Sequence, residues 1–130
     1  MSTTRAAVER YLSALNDHDA DAVAACVTAD FVNEHTSARG TSRVGRDAYR
    51  AALPVFLDRF ADLHYAVEDV LVDGDRAAVA YRMTCHWRDD DGRSHPVALR
   101  GVFRFRVTDG LIAHRVDYWD GADFEHQVLR

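Results

Sequence analysis

The sequence predicts an α+β domain shaped like a cone, in which three N-terminal helices pack on a curved antiparallel meander of four strands plus one short strand. Two observations predict it. Apolar residues recur at the helical spacing of 3.6 residues up to about residue 60, and at the strand period of two after residue 63. Asp-Gly pairs at 73–74, 91–92 and 109–110 divide this second part into long strands joined by hairpins. The chain is expected to form one domain, residues 1–130.

The N-terminal part predicts three helices. One face of the first helix is apolar and consists of Val8, Tyr11, Leu12 and Leu15. The polar segment 16–19 ends that helix, and Asp19 is suited to cap the second one. A short extended segment follows at 30–36. The third helix is expected over 46–60, where Pro54 should kink it because its ring removes a backbone donor.

The inner face of the sheet is predicted from the alternation along the second and third long strands. Their odd-numbered residues are apolar, whereas their even-numbered residues are mostly polar or charged. The odd-numbered set includes Tyr81, Met83, Trp87, Leu99, Gly101 and Phe103. These residues are expected to face the helices and to line a pocket beneath them.

The last strand contains HRVDYWD, residues 114–120, and places Arg115, Asp117 and Trp119 on one face. A carboxyl group on an apolar inner face has a raised pKa and can act as a general acid or base. The alternative for Asp117 is an ion pair with Arg115 on the same face.

The length of the last hairpin loop decides what lies opposite Asp117. A three-residue loop at 108–110 would set Asp117 opposite Gly101, whereas a two-residue turn would set it opposite Val102, among arginines. We favour the first register because it places Trp119 among the inner aromatic residues. Gly101 would then leave an open space above the carboxyl group.

Nearly the whole chain resembles the nuclear transport factor 2-like superfamily, whose members have a cone of three helices on a curved sheet and often form dimers. The nearest pattern is the SnoaL-like polyketide cyclase group. The resemblance is carried by ADFVNEH (29–35), GRDAYRAALPVF (45–56), LHYAVEDVLVDGDRAAVAYR (63–82) and GVFRFRVTDGLIAHRVDYWD (101–120). It implies that Asp117 is the acid/base that this group carries on its last strand.

The start of the chain is similar to ketosteroid isomerase instead. ERYL (9–12) resembles the helix that presents the oxyanion-binding tyrosine of that enzyme, which implies this role for Tyr11. His35 occupies the place of its base aspartate, and Gly101 the place of its second acid. The related epoxide hydrolases have an inward arginine and aspartate where this chain has Leu99 and Gly101, so their catalytic triad is not expected here.

The candidate catalytic residues are therefore Asp117, His35 and Tyr11. The candidate substrate-binding residues are Phe31, Asn33, Tyr49, Phe56, Tyr81, Met83, Trp87, Gly101, Phe103 and Trp119. No metal is expected, because the histidines lack ligand spacing, and no cofactor is expected, because no nucleotide-binding motif is present.

Composition limits the partners. The net charge of −5 disfavours nucleic acid, since counterion release needs clustered basic residues. No stretch approaches about 20 apolar residues, so no membrane span and a cytoplasmic location are expected. Cys26 and Cys85 are expected to be reduced, packed thiols.

These features predict a cofactor-free acid–base enzyme of the polyketide cyclase, isomerase or dehydratase type. Its ligand would be a small, largely apolar carbonyl compound, such as a polycyclic polyketide or a terpenoid. The alternative is a non-catalytic domain of the same fold that binds a small ligand or serves dimerisation. A homodimer is expected through the convex sheet face, whose apolar centre has a polar rim. The centre is Val102, Val116 and Tyr118, and the rim is Arg100, Arg104 and His114.

Overall fold

A computed structural model describes residues 3–129 and confirms the α+β architecture. The elements are α1 (Thr3–Asn16), α2 (Ala20–Ala25), β1 (Val27–His35), β2 (Arg43–Val44), α3 (Arg46–Arg59), β3 (Phe60–Asp73), β4 (Arg76–Arg88), β5 (Ser94–Thr108), β6 (Leu111–Trp119) and α4 (Gly121–Val128). The three predicted helices and the four-stranded meander β3–β6 are present. None of the helices in the described residues is long and apolar enough to cross a membrane.

The sheet is larger than predicted and is mixed. Its strand order is β2-β1-β6-β5-β4-β3, so the first extended segment does not stand apart from the meander. Strand β1 pairs with β6 in parallel, and β2 pairs with β1 antiparallel. The meander is antiparallel, as predicted, and the parallel pairing of β1 with β6 was not predicted. The parallel pairing matters for function, because it places the end of β1 directly beside the last strand.

Helix α1 buries its predicted face. Val8, Tyr11, Leu12 and Leu15 are each at most 5% exposed. The side chain of Asp19 accepts a hydrogen bond from the Ala22 backbone N–H and caps α2, as predicted. Helix α3 continues through the exposed Pro54 to Arg59.

A fourth helix, α4, was not predicted. Its first backbone N–H groups, at Ala122 and Asp123, donate to the Asp120 side chain. Phe124 is buried, and its ring packs edge-on against Trp87 and Trp119 at centroid distances of 5.4 and 5.9 Å. The helix therefore adds an apolar wall to the cone.

The favoured register of the last hairpin was wrong by two residues. Asp117 lies opposite Phe103, and Trp119 lies opposite Gly101. The predicted face was nevertheless right, because a shift of two residues leaves every side chain on the same side of a strand. Asp117 is 4% exposed and faces the interior of the cone.

A two-residue turn and a bulge together cause this register. Asp109 and Gly110 both have positive φ, of 51° and 79°, as the tight hairpin turn requires. A bulge then follows, because Arg106 pairs with His114 while Val107 pairs with Ile112. The extra residue between these two pairs restores the inward face that the short turn alone would have reversed.

The convex patch differs from its prediction at one residue. Val102 and Tyr118 are 38% and 40% exposed, but Val116 is buried at 2%. Arg104 donates to the Tyr118 hydroxyl from Nη2 at 3.1 Å. The exposed apolar centre is therefore smaller than expected.

Candidate active site

A cavity of about 730 Å³ lies between the concave face of the sheet and helices α3 and α4. Nine of the thirteen predicted site residues form part of its wall. They are Asn33, His35, Tyr49, Phe56, Tyr81, Met83, Trp87, Asp117 and Trp119. The two polar candidates on β1 and β6, His35 and Asp117, therefore face the same space.

The other four predicted residues lie behind the wall. Tyr11 is fully buried, and its hydroxyl lies 2.5 Å from that of Tyr49. Phe31 packs against the Tyr49 ring at a centroid distance of 4.8 Å. Gly101 and Phe103 lie behind Tyr81 and contribute no surface to the cavity.

Parallel pairing of β1 with β6 brings the polar residues together two by two. His35 lies opposite Asp117, and Asn33 lies opposite Arg115. His35 Nδ1 is 3.6 Å from Asp117 Oδ2, and Arg115 Nε donates to Asn33 Oδ1 at 2.8 Å. Both pairs have their side chains in the cavity wall.

The two carboxyl oxygens of Asp117 have different surroundings. Oδ1 accepts a hydrogen bond from the Tyr81 hydroxyl at 2.6 Å. Oδ2 accepts none from the described residues and is not sealed from the cavity. Burial raises the pKa of Asp117, although the nearby charge of Arg115 and the Tyr81 hydrogen bond both act to lower it. One oxygen is thus held in place, and the other is available to a ligand.

His35 is a neutral hydrogen-bond acceptor. Its Nδ1 accepts from Trp119 Nε1 at 3.1 Å, and its Nε2 lies 3.4 Å from Arg115 Nη2. Both neighbours can only donate, so neither stabilises a protonated ring. Burial and the charge of Arg115 lower the pKa of His35 from 6.5 to about 3. The ring is therefore uncharged at neutral pH.

Gly101 makes room for Tyr81. A Cβ at position 101 would lie 2.5 Å from Tyr81 Cζ and 2.7 Å from the Tyr118 carbonyl oxygen. The expected space above the glycine is thus occupied by the tyrosine ring, which places its hydroxyl against Asp117. The glycine acts on the carboxyl group through Tyr81 and not by leaving a gap beside it.

Tyr11 and Tyr49 form a buried pair of hydroxyl groups. Burial raises the pKa of both, so both remain protonated at neutral pH. Tyr49 lies in the cavity wall, whereas Tyr11 does not. When Tyr11 donates to Tyr49, the Tyr49 proton is free to bind an acceptor in the cavity.

Arg115 belongs to the site, although it was considered only as a partner for Asp117. It is 4% exposed, lies in the cavity wall, and stacks over the Phe103 ring at 4.9 Å. The direct ion pair, which was the alternative for Asp117, is not formed, since no carboxyl oxygen of Asp117 lies within 4 Å of a guanidinium nitrogen. The period-two alternation that placed Asp117 inside also placed Arg115 there.

Several other residues of the wall were not predicted from the sequence as site residues. They include Arg39, Arg43, Arg59, Tyr65 and Phe124. Within residues 3–129, no group of three or more His, Cys, Asp or Glu side chains is arranged to hold a metal ion.

The three-helix cone, the curved sheet and the polar cluster inside it are those of the nuclear transport factor 2-like fold. Within this class the chain belongs to the SnoaL-like domain family, whose sequence model matches residues 8–115. Asp117 lies just beyond the matched segment. A comparison with curated proteins finds no match.

Solved structures share this fold at low sequence identity. A protein named as a SnoaL-like polyketide cyclase, from Shewanella denitrificans OS-217, has a TM-score of 0.88 and 16% identity, covering 99% of this chain and 98% of that one. An LEH-like epoxide hydrolase from M. tuberculosis has a TM-score of 0.82 and 23% identity, covering 98% of this chain and 90% of that one. TerC, co-crystallised with polyporic acid, has a TM-score of 0.82 and 16% identity, covering 99% of this chain and 100% of that one.

Proposed function

We propose that the protein is an acid–base enzyme of the cyclase, isomerase or dehydratase type, acting on a small, largely apolar carbonyl compound. The observation that carries this proposal is the geometry of Asp117. Its Oδ1 is fixed by Tyr81, while Oδ2 is free toward an otherwise mainly apolar cavity. The groups that would move protons belong to the chain itself.

In this proposal Asp117 transfers the proton. Its ionised Oδ2 accepts a proton from a carbon next to the carbonyl group, and the resulting acid returns the proton to another atom of the ligand. Burial raises the pKa of this carboxyl group above its ordinary value. An acid or base whose pKa lies near the working pH transfers protons most effectively, because both of its forms are available.

Negative charge develops on the carbonyl oxygen when that proton leaves. Tyr49 is the proposed hydrogen-bond donor to this oxygen, because it lies in the wall and carries an available proton. Tyr11, first considered for this role, would act from behind by donating to Tyr49. Tyr11 is therefore proposed as a positioning residue and Tyr49 as the contact.

His35 is proposed as an uncharged partner of the carboxyl group. Its low pKa disfavours a role as general acid at neutral pH. The Trp119 hydrogen bond orients the ring, and Nδ1 stays close to Oδ2. Because the Nδ1 lone pair already accepts from Trp119, the ring stays uncharged while Asp117 takes up and returns the proton.

The compared proteins support a small ligand of this kind. One is named as a polyketide cyclase, one as an epoxide hydrolase, and one was crystallised with polyporic acid. A polyketide or a terpenoid carbonyl compound is the proposed substrate class. The apolar wall formed by Phe56, Met83 and Trp87 suits such a carbon skeleton.

The test is hydrogen exchange on a panel of cyclic ketones and diketones in D₂O, followed by NMR. The protein should accelerate exchange of the hydrogens next to the carbonyl group, and Asp117→Asn should reduce that rate about 10²–10⁴-fold. Asp69→Asn is the matched control, because Asp69 is an exposed strand carboxylate outside the cavity. Binding without accelerated exchange would support the alternative, a non-catalytic ligand-binding domain.

A homodimer through the convex face is also part of the proposal. Val102 and Tyr118 are cross-strand neighbours and are both partly exposed there. A cytoplasmic location is proposed as well, and it is supported by Cys26 and Cys85, which are free and buried.

A further inference from the structure

We propose that the ligand carries an anionic group, a carboxylate or an acidic enol, and that this group binds the guanidinium of Arg115. The inference rests on the proposed function in one respect, since it places the ligand in the cavity of Asp117. It adds the charge of the ligand and the residue that recognises it.

Arg115 is a buried cation with an open hydrogen-bonding position. Its Nε donates to Asn33 at 2.8 Å, and its Nη2 lies 3.4 Å from Nε2 of the neutral His35 ring, so the neighbours of these two nitrogens carry no charge. The third, Nη1, has no hydrogen-bond partner among residues 3–129 and is not sealed from the cavity. The guanidinium stays charged at all relevant pH values.

No carboxylate of the described chain lies within 4 Å of this guanidinium. Asp117, the nearest candidate, directs Oδ1 to Tyr81 instead. A buried charge without a partner is costly, and proteins pair such charges almost without exception. The aromatic rings of Phe103 and Tyr11 offset part of this cost through contacts at 4.9 and 5.9 Å. An anionic ligand would supply the missing partner.

The charge balance of the whole cavity favours an anion as well. Four arginines but a single carboxylate, Asp117, lie in the described wall, although the chain as a whole has a net charge of −5. The arginines are Arg39, Arg43, Arg59 and Arg115. Two of them pair with carboxylates, Arg39 with Glu125 at 3.5 Å and Arg59 with Asp90 at 3.1 Å. Arg43 and Arg115 have no such partner among the described residues.

The rest of the wall defines the body of the ligand. It is apolar and aromatic around Phe56, Leu99 and Trp119, and a cavity of about 730 Å³ holds a molecule of two or three rings. The ligand class is therefore an aromatic or alicyclic monoanion, with its charge at Arg115 and its carbonyl group near Asp117. The competing possibility is a neutral carbonyl compound whose oxygen binds the guanidinium.

A matched pair of probes separates these possibilities on the wild-type protein. Titration calorimetry at pH 7.5 would compare 2-naphthoate with 2-naphthamide, which have nearly the same shape and differ in charge. We expect 2-naphthoate to bind at least about tenfold more tightly, because hydrogen bonds between charged groups are roughly twice as strong as neutral ones. Equal affinities, a preference for the amide, or no binding of 2-naphthoate at millimolar concentration would overturn the proposal.

Variants then locate the source of the preference. Arg115→Met should remove the preference for the carboxylate, and Arg82→Met, which deletes an exposed charge on β4 outside the cavity wall, should retain it. Full preference in a folded Arg115→Met protein would contradict the assignment. If that variant does not fold, Asn33→Leu, which removes the Nε acceptor, should still change the preference. An unchanged preference in Asn33→Leu would then count against Arg115.

The outcome is distinguishable from a failure of the proposed enzyme activity. Asp117→Asn should keep or strengthen 2-naphthoate binding, because it removes the only carboxylate from the described wall. A protein that prefers 2-naphthoate but exchanges no ketone hydrogens would keep the anion site and lose the enzyme proposal. A protein that exchanges ketone hydrogens but does not prefer 2-naphthoate would keep the enzyme proposal and lose the anion site.

Discussion

His35 and Asp117 lie opposite each other on parallel strands, with Nδ1 3.6 Å from Oδ2, yet burial favours the uncharged form of both. The usual expectation for such a pair is a salt bridge in which the imidazole is protonated. Here the charge of Arg115 beside the ring opposes that protonation, and burial opposes both charges. The pair therefore places an uncharged imidazole ring next to the carboxyl group and forms no salt bridge.

The first prediction concerns stability at acidic pH. The unfolded chain protonates His35 near pH 6.5 and the native protein only near pH 3, so the unfolded state binds more protons between these values. Stability should fall as the pH drops through this window, by about 2 kcal/mol from His35 alone between pH 7 and pH 5. The His35→Gln variant should lose less stability than the wild type between pH 7 and pH 5, by about that amount.

Urea unfolding of the wild type and of His35→Gln at pH 7 and pH 5 measures this difference. His64→Gln is the control, because His64 is exposed on β3. Equal losses in the wild type and in His35→Gln would show that the native ring accepts a proton as readily as the unfolded one.

The second prediction concerns the Tyr81 hydroxyl. Its hydrogen bond lowers the pKa of Asp117, so Tyr81→Phe should raise that pKa further. If the ionised carboxylate is the base, the acid limb of the exchange rate should move to higher pH. Stability should also fall by about 1–3 kcal/mol, the range for leaving a buried hydrogen-bonding group without its partner.

A pH profile of ketone exchange checks this shift. Tyr65→Phe serves as the control, because Tyr65 lies in the same cavity wall but its hydroxyl makes no hydrogen bond to another described residue. An unchanged acid limb in Tyr81→Phe would separate Asp117 from the observed rate.

The third prediction concerns Gly101, which contacts Tyr81 and does not form part of the cavity wall. Gly101→Ala should push the Tyr81 ring away from Asp117, and overpacking of this kind costs about 1–3 kcal/mol. Tyr81→Leu should partly relieve that cost, although the Tyr118 carbonyl oxygen remains close. Thermal melts of the two single variants and the double variant measure the coupling. Additive losses would mean that the glycine and the tyrosine do not compete for the same space.

The inward face of β6 could be read from the sequence, but its register could not. Period-two alternation placed Asp117 and Trp119 inside, and a shift of two residues does not alter that face. The bulge between the Arg106 and Val107 pairs has no distinct sequence signature, so the opposite residue was predicted as Gly101 in place of Phe103.

Two other features show which signals were available. Helix α4 could have been found, because Asp120 is a suitable cap and Phe124 and Val128 recur at helical spacing. The contact of His35 with Asp117 depends on parallel pairing between segments 82 residues apart. No local pattern specifies that pairing, so only the family resemblance hinted that the two residues share a site.

The fourth prediction concerns assembly. If Val102 and Tyr118 form the centre of a two-fold interface, sedimentation should show a dimer at micromolar concentration. Val102→Glu should shift it to a monomer, because it places a charge in the apolar centre. Leu71→Glu is the control, since Leu71 is an exposed apolar residue on β3, outside the predicted patch. If the wild type sediments as a monomer, the convex face does not form a two-fold interface.

The last prediction concerns Asp117 itself. Its native pKa is raised, so its contribution to stability is greatest below the unfolded pKa of about 3.9 and is lost as the pH rises through the native value. Asp117→Asn keeps the size and the Tyr81 hydrogen bond but cannot ionise. The variant should therefore melt at the same temperature as the wild type or higher at pH 7, and the difference should shrink toward pH 4. Arg115 keeps its contacts with Asn33 and His35 in the variant, so no guanidinium is stranded. Differential scanning calorimetry at both pH values, with Asp69→Asn as the exposed control, measures the effect. A clearly lower melting temperature at pH 7 would mean that the ionised carboxylate stabilises Arg115 through the cavity, and Asp117 would then be a structural counter-ion and not the acid/base.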